Sequence, residues 1–191
     1  MAKQTVRKKE TRQNMIAAAN RNFRSFGYNG VGVDAIAKDA KVTSGAFYAH
    51  LKSKDAAFAI AVESGLDEVI DAIPKYQKDH GKKWVEAFAS YYLGKSHRDD
   101  MACGCAMTSL SPDVVRADDQ IRLIFEDRMA HIINLIADGL DGDTIKLRRE
   151  KAWMFLSVLI GGLTTARAVK SPPLAEEIAA SAKRAAIELV S

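Results

Sequence analysis

Cysteine is nearly missing from this 191-residue chain: only Cys103 and Cys105 are present. Two cysteines so close together exclude a disulfide framework and fall short of a zinc-finger half-site pair. Histidine is equally sparse. His50, His80, His97 and His131 are scattered and form no ligand cluster, so no metal and no cofactor is expected. No apolar h-region opens the chain, which argues against a secretory signal and for the cytoplasm. The longest apolar run, Ala152 to Val169, is interrupted by Ser157, Thr164, Thr165 and Arg167. It reads as a buried helix and not a membrane span. Segments of period-two hydrophobicity are also missing, as are internal repeats and low-complexity tracts, so the fold reads as all-α.

What is present is unevenly charged. Residues 1–54 hold eleven Lys or Arg against Glu10, Asp34 and Asp39, a net of +8. The remainder holds 17 basic and 21 acidic residues, a net of −4. A basic first quarter on an acidic remainder marks one end for a polyanion. Residues 1–9, with Lys3, Arg7, Lys8 and Lys9, read as a disordered basic arm able to touch phosphate.

Within that basic end, Gly32 to Lys54 reads as two short helices joined by a tight turn. Val33, Ile36, Ala37 and Ala40 form one apolar face. Thr43 is placed to cap the second helix, and Phe47 and Leu51 give it a buried side. Its other side, Ser44, Gly45, Ala46, Tyr48 and His50, is small or polar-tipped, which suits a DNA major groove. A helix from Thr11 to Phe26 precedes the pair, with Met15, Ile16, Ala19, Phe23 and Phe26 at helical spacing and Gly27 at its end. Ser53 caps a long helix from Lys54 that Pro74 kinks or ends. Further helices span roughly 82–97, 118–140, 144–169 and 174–190. A short piece at Cys103 to Leu110 is broken by Ser111-Pro112-Asp113.

From Thr11 through Lys54 the chain resembles the DNA-binding domain of the tetracycline-repressor (TetR) family of bacterial regulators. Phe23, Gly27-Tyr28, Val33, Asp34, Ile36-Ala37, Ala40, Val42-Thr43, Gly45, Phe47-Tyr48, His50 and Ser53-Lys54 carry the likeness. Three positions depart from it. Lys41 stands where a turn glycine is common, and Asn20 and Asn22 stand where apolar residues are common. The resemblance implies a three-helix helix-turn-helix domain over residues 1–54. It also implies a helical effector-binding and dimerisation domain over 55–191, about nine helices in all. By the same resemblance the protein is a homodimeric regulator, usually a repressor, released from a palindromic double-stranded DNA operator by a small-molecule effector. Thr43 and Ser44 would cap the recognition helix and meet phosphate or bases. Gly45 and Ala46 would allow close approach, while Tyr48, His50 and Lys54 would reach phosphates.

The residues also suggest where an effector and a second subunit would sit. Phe58, Val62, Trp84, Phe88, Tyr91, Met107, Phe125, Met129, Trp153 and Phe155 come from several helices and are candidates for an apolar cavity, with Tyr91 or His131 as polar anchor. The ligand expected there is hydrophobic or aromatic. Leu156, Leu159, Ile160, Leu163 and Ala166, with Ala179, Ala182, Ala186 and Val190 of the last helix, form an apolar stripe expected at a four-helix dimer interface.

Other chemistry fits less well. Gly30-x-Gly32-x-x-Ala35 mimics a dinucleotide fingerprint but follows a helix end, not a strand. Tyr91-x-x-x-Lys95 has a dehydrogenase spacing without a cofactor fold. A thiol-based redox or electrophile response through Cys103 or Cys105 is an alternative regulatory mode. A small helical enzyme using the second domain's cavity is the distant alternative, and the expectation is that the protein is not an enzyme.

Overall fold

The computed structural model describes residues 2–102 and 104–190, with side chains from Val6 onward. Cys103 lies outside the described residues. The fold is all-α, and no strand occurs among the described residues. The chain divides into two compact units. The first takes residues 1–65 and 101–125, and the second takes 66–100 and 126–191. This is not a division at residue 54. The first unit gains 101–125 because a later helix packs directly on the first one.

In the first unit, α1 (Ala2–Gly30) buries Met15, Ala18, Ala19, Asn22 and Phe23, a stripe at helical spacing. Gly27, at φ 71, adopts the left-handed conformation that ends the regular helix. Phe26 lies at the break and stays 64% exposed, outside the apolar stripe in which its spacing places it. The two asparagines find partners. Asn20 Nδ2 donates to Ser64 Oγ at 3.0 Å, and buried Asn22 donates to Ala18 O and to Asp39 Oδ2, each at 2.8 Å. The basic arm is not disordered: α1 is continuous from Ala2, and Val6 to Glu10 are exposed along it. Lys, Arg, Gln and Glu are good helix formers, so the segment extends the helix that follows it.

Helices α2 (Val33–Asp39) and α3 (Ser44–Leu51) pack on each other and on α1. Thr43 Oγ1 accepts from Ala46 N at 3.2 Å, the N-cap its position predicts. Helix α4 (Lys54–His80) is capped by Ser53, which accepts from Ala56 N at 3.0 Å. It continues past Pro74, which costs one backbone hydrogen bond without ending the helix. Helix α4 begins in the first unit and ends in the second.

After a 3₁₀ turn (Gly81–Lys83) come α5 (Trp84–Tyr92) and α6 (Lys95–Asp99), a pair where the sequence suggests one helix. Gly94 permits the break, since a Cβ there would lie 2.9 Å from Ser90 O. Helix α7 (Ala106–Val114) runs through Ser111-Pro112-Asp113 and is not broken there. Then follow α8 (Asp119–Asp138), α9 (Ile145–Ala168) and α10 (Pro172–Glu188).

The second unit is built on the α9–α10 pair with α5 and α6 against it. A Cβ added to Gly162 would collide with Ala182 Cβ, so α9 and α10 touch nearly backbone to backbone. Trp84 packs on Phe155 (6.1 Å between ring centroids), and its Nε1 donates to Gly139 O at 3.0 Å. Among the described residues no helix is long and apolar enough to cross a membrane.

Lys41 shows what the departure from a turn glycine costs. Its φ of 57 is left-handed, a conformation that strains a residue with a Cβ. Lys41→Gly is therefore expected to raise stability by up to ~1 kcal/mol, the relieved strain outweighing the entropy gained by the unfolded chain. Urea unfolding checks this: the midpoint should rise with an unchanged slope, and a lower midpoint contradicts it.

Candidate nucleic-acid interface

The interface is positioned by the core beneath it. Phe23 of α1 and Phe58 of α4 meet edge to face at 5.2 Å, and Tyr28 meets Phe58 at the same centroid distance. Asn22 and Arg21 both bond Asp39 at the end of α2, so the helix-turn-helix is held to α1 at a defined rotation. Phe47 and Leu51 anchor α3 inward at 0% and 2% exposure. Gly45, Tyr48, Ala49 and Lys52 are therefore left outward, one stripe at i, i+3, i+4 and i+7. Tyr48 is 51% exposed.

Each residue expected to meet DNA has a definite place. Thr43 and Gly45 are exposed, and Ser44, Ala46 and His50 flank the stripe half-buried. The Ser44 hydroxyl donates to Asp34 Oδ1 at 2.5 Å, which locks it to α2. Lys54 places its ammonium 4.2 Å from the centroid of the Tyr28 ring, a cation–π contact. Three residues escape the sequence reading. Ala49 and Lys52 belong to the outward stripe, and their spacing from Gly45 is the signal that marks them. Asp34, seen there only as part of the family likeness, orients Ser44 across the turn.

The Tyr28 end of α1 is itself gripped. Its backbone N–H donates to Asp113 Oδ2 at 2.7 Å, and Asp113 also pairs with Arg116 at 2.8 Å. The Tyr28 hydroxyl donates to Asp55. That hydrogen bond, then burial, then the charges of Asp55 and Asp118 push the phenol up to about 12. Beside it a cleft of about 390 Å³ is lined by Tyr28, Phe58, Asp113 and Ile121 among others.

The residues expected to line one effector cavity divide between the two units. Phe58, Val62, Met107 and Phe125 belong to the first, the others to the second. Phe58 lines the cleft just described, and Trp84 lines a cavity of about 570 Å³ in the second unit with Gln77, Leu140 and Ile187. Val62, Phe88, Met107 and Met129 are buried in packing, while Tyr91, His131 and Trp153 lie exposed.

The expected dimer stripe requires a correction. Leu156, Leu159, Leu163, Ala179 and Ala186 are all at most 2% exposed within the single chain, because they form the α9–α10–α5 core. Ile160 and Ala182 are half-buried. The face of α9 left outward is Trp153, Met154, Ser157, Gly161, Thr164 and Thr165. Cys105 is buried at the start of α7. Among the described residues no group of His, Cys, Asp or Glu is arranged to hold a metal. Gly30 ends α1, so the Gly30 to Ala35 pattern has a helix before it.

A short, capped second helix with a small outward face, at the basic end of an all-α chain, defines a helix-turn-helix DNA-binding regulator. Residues 15–69 match the model of the bacterial regulatory proteins of the tetR family. No curated protein sequence matches it. Among solved structures it is similar to a TetR-family transcriptional regulator from Agrobacterium tumefaciens (15% identity, 96% of this chain and 100% of that one covered, TM-score 0.80). It is also similar to the reduced form of NemR from E. coli (18%, 92% and 96%, 0.75). A third is the regulator FadR from Bacillus subtilis in complex with stearoyl-CoA (16%, 94% and 97%, 0.68). At these identities the likeness is one of fold.

The raised Tyr28 phenol gives a pH signature. Its folded pKa lies above the ordinary 10.0, so its contribution to stability is complete below pH 10 and is lost as pH rises through about 12. Wild type is expected to be more stable than Tyr28→Phe at pH 8, with the difference in Tm shrinking above pH 10. A difference that stays constant to pH 12 contradicts the Tyr28–Asp55 bond.

Proposed function

We propose that the chain is a homodimeric transcriptional repressor that leaves a palindromic operator when a small, largely apolar molecule binds the helical region over 55–191. The observation that carries this reading is the outward stripe of α3. Gly45 and Ala49 have no bulk to hold the helix off base edges, and Tyr48 beside them suits a phosphate. Residues 1–54 are the DNA-binding part in this reading. With Lys52, at the far end of the stripe, its one long cationic side chain, thymine-methyl contact and DNA shape set sequence preference more than arginine–guanine pairs do.

The effector reading is supported by the apolar wall that Trp84, Leu140, Ile187 and Val190 give the second unit's cavity. FadR, of the same fold, is described in complex with stearoyl-CoA, a ligand with a long apolar body. Dimerisation is supported by the outward face of α9. Trp153 and Met154 are 42% and 41% exposed there, and Gly161 has nothing within 4 Å of a Cβ position. Trp153 and Met154 would give such a face its apolar contact, and Gly161 would let a partner helix approach closely. The regulator acts by population shift: effector favours a dimer whose two α3 helices no longer match successive major grooves, about 34–36 Å apart.

The test uses duplex DNA from upstream of the chain's own gene. Wild type should bind it, and Ala49→Glu should bind at least about tenfold more weakly with its helix content unchanged, since a carboxylate is set against phosphate. Equal binding by Ala49→Glu rejects α3 as the reading helix. Gly161→Arg meets open space within one chain, so it should fold normally yet sediment as a monomer and lose operator binding. A retained dimer would place the interface elsewhere.

A further inference from the structure

We propose that the helical stretch of α1 before Met15 is a second DNA contact, one that grips phosphates from outside the helix-turn-helix. It rests on the DNA-binding reading of this chain. The match to the family begins at residue 15, and Met15 is also the first buried side chain described. Residues 2–14 therefore lie outside the matched domain, and the described side chains among them, Val6 to Asn14, lie outside the core. They are nevertheless helical, continuous with α1 and about 20 Å long at 1.5 Å per residue.

Charge points to the partner. Lys3, Arg7, Lys8, Lys9 and Arg12 oppose only Glu10, so residues 1–14 supply +4 of the +8 carried by residues 1–54. Of the six Lys and Arg over residues 15–54, Lys38, Lys41 and Lys52 stand exposed on the helix-turn-helix, and the other three are engaged. Arg21 is paired with Asp39 at 2.9 Å. Arg24 is 4% exposed and donates to Gly104 O at 3.1 Å. Lys54 rests on the Tyr28 ring. Arg7, Lys8, Lys9 and Arg12 are all exposed.

The segment's own energetics agree. It is polar on every side, so burial does not hold it as a helix. Lys8 and Arg12, four apart, repel each other along it. A polyanion removes that repulsion and stabilises the helix, while the helix presents its cations without further ordering. An anionic membrane is the poorer partner, because Val6 is the one large apolar residue between Val6 and Asn14, and an interfacial helix needs an apolar face. The contact is to phosphate and adds affinity without sequence preference.

The experiment replaces Arg7, Lys8, Lys9 and Arg12 together by Gln. Gln keeps helix propensity, and all four sites precede the first buried residue, so the fold persists. Binding of full-length wild type and variant is measured against salt, on the upstream duplex and on a duplex of scrambled sequence. Each phosphate neutralised contributes about 0.9 to the slope of log K against log salt, so the variant's slope should fall by about three to four on both duplexes. The affinity ratio between the duplexes should stay that of wild type. An unchanged slope overturns the proposal while leaving the DNA-binding reading intact. A changed ratio overturns it by making the segment a base reader. Loss of binding to phosphatidylserine vesicles with unchanged DNA slope assigns the segment to a membrane instead. No DNA binding by wild type overturns both readings.

Discussion

The packing of Phe23, Tyr28 and Phe58 is the constraint on which the first unit depends. Three aromatic rings from α1 and α4 meet at 5.2–6.1 Å and fix those two helices against each other. Helices α2 and α3 have too few residues to be stable alone, and take their positions from that frame. Asn22 and Arg21, reaching Asp39, set the rotation of α2 on α1, and Asp34, holding Ser44, sets α3 on α2. Order thus passes from an aromatic core through polar bonds between helices to a surface helix with no core of its own. The cost of truncating such a buried Phe, about 3–5 kcal/mol, is of the size of a marginal domain's whole stability.

The same frame divides the chain's positive charge. Three cations over residues 15–54 serve structure: Arg21 and Arg24 hold neighbouring elements, and Lys54 covers an aromatic ring. Lys38, Lys41 and Lys52 remain exposed on the helix-turn-helix itself. On the outward stripe of α3, Gly45 and Ala49 are small, and Tyr48 and Lys52 are the long side chains.

The reading head was legible in the sequence because its signals are local. Thr43 and Ser53 cap helices as their positions predict, since capping needs only a side-chain oxygen and an N–H three residues on. Lys41 was visible as an exception to a turn glycine, and its positive φ follows. Facing was less legible. Helix α9 carries apolar residues on two sides, and periodicity alone does not say that Leu156, Leu159 and Leu163 turn to α10 and α5 while Trp153 and Met154 turn outward. Pro74 and Pro112 read as breaks, yet tertiary packing keeps both inside helices. Residues 1–9 read as unstructured because a polar helix leaves no periodic trace in the sequence.

The central claim is that α3 enters a major groove and does so once per subunit. Hydroxyl-radical footprinting of the protein on duplex DNA from upstream of its gene tests it most directly. Two protected patches related by a dyad, centred one helical turn of about 34–36 Å or a multiple of it apart, are the expected result. A single patch, or uniform protection independent of sequence, would contradict it.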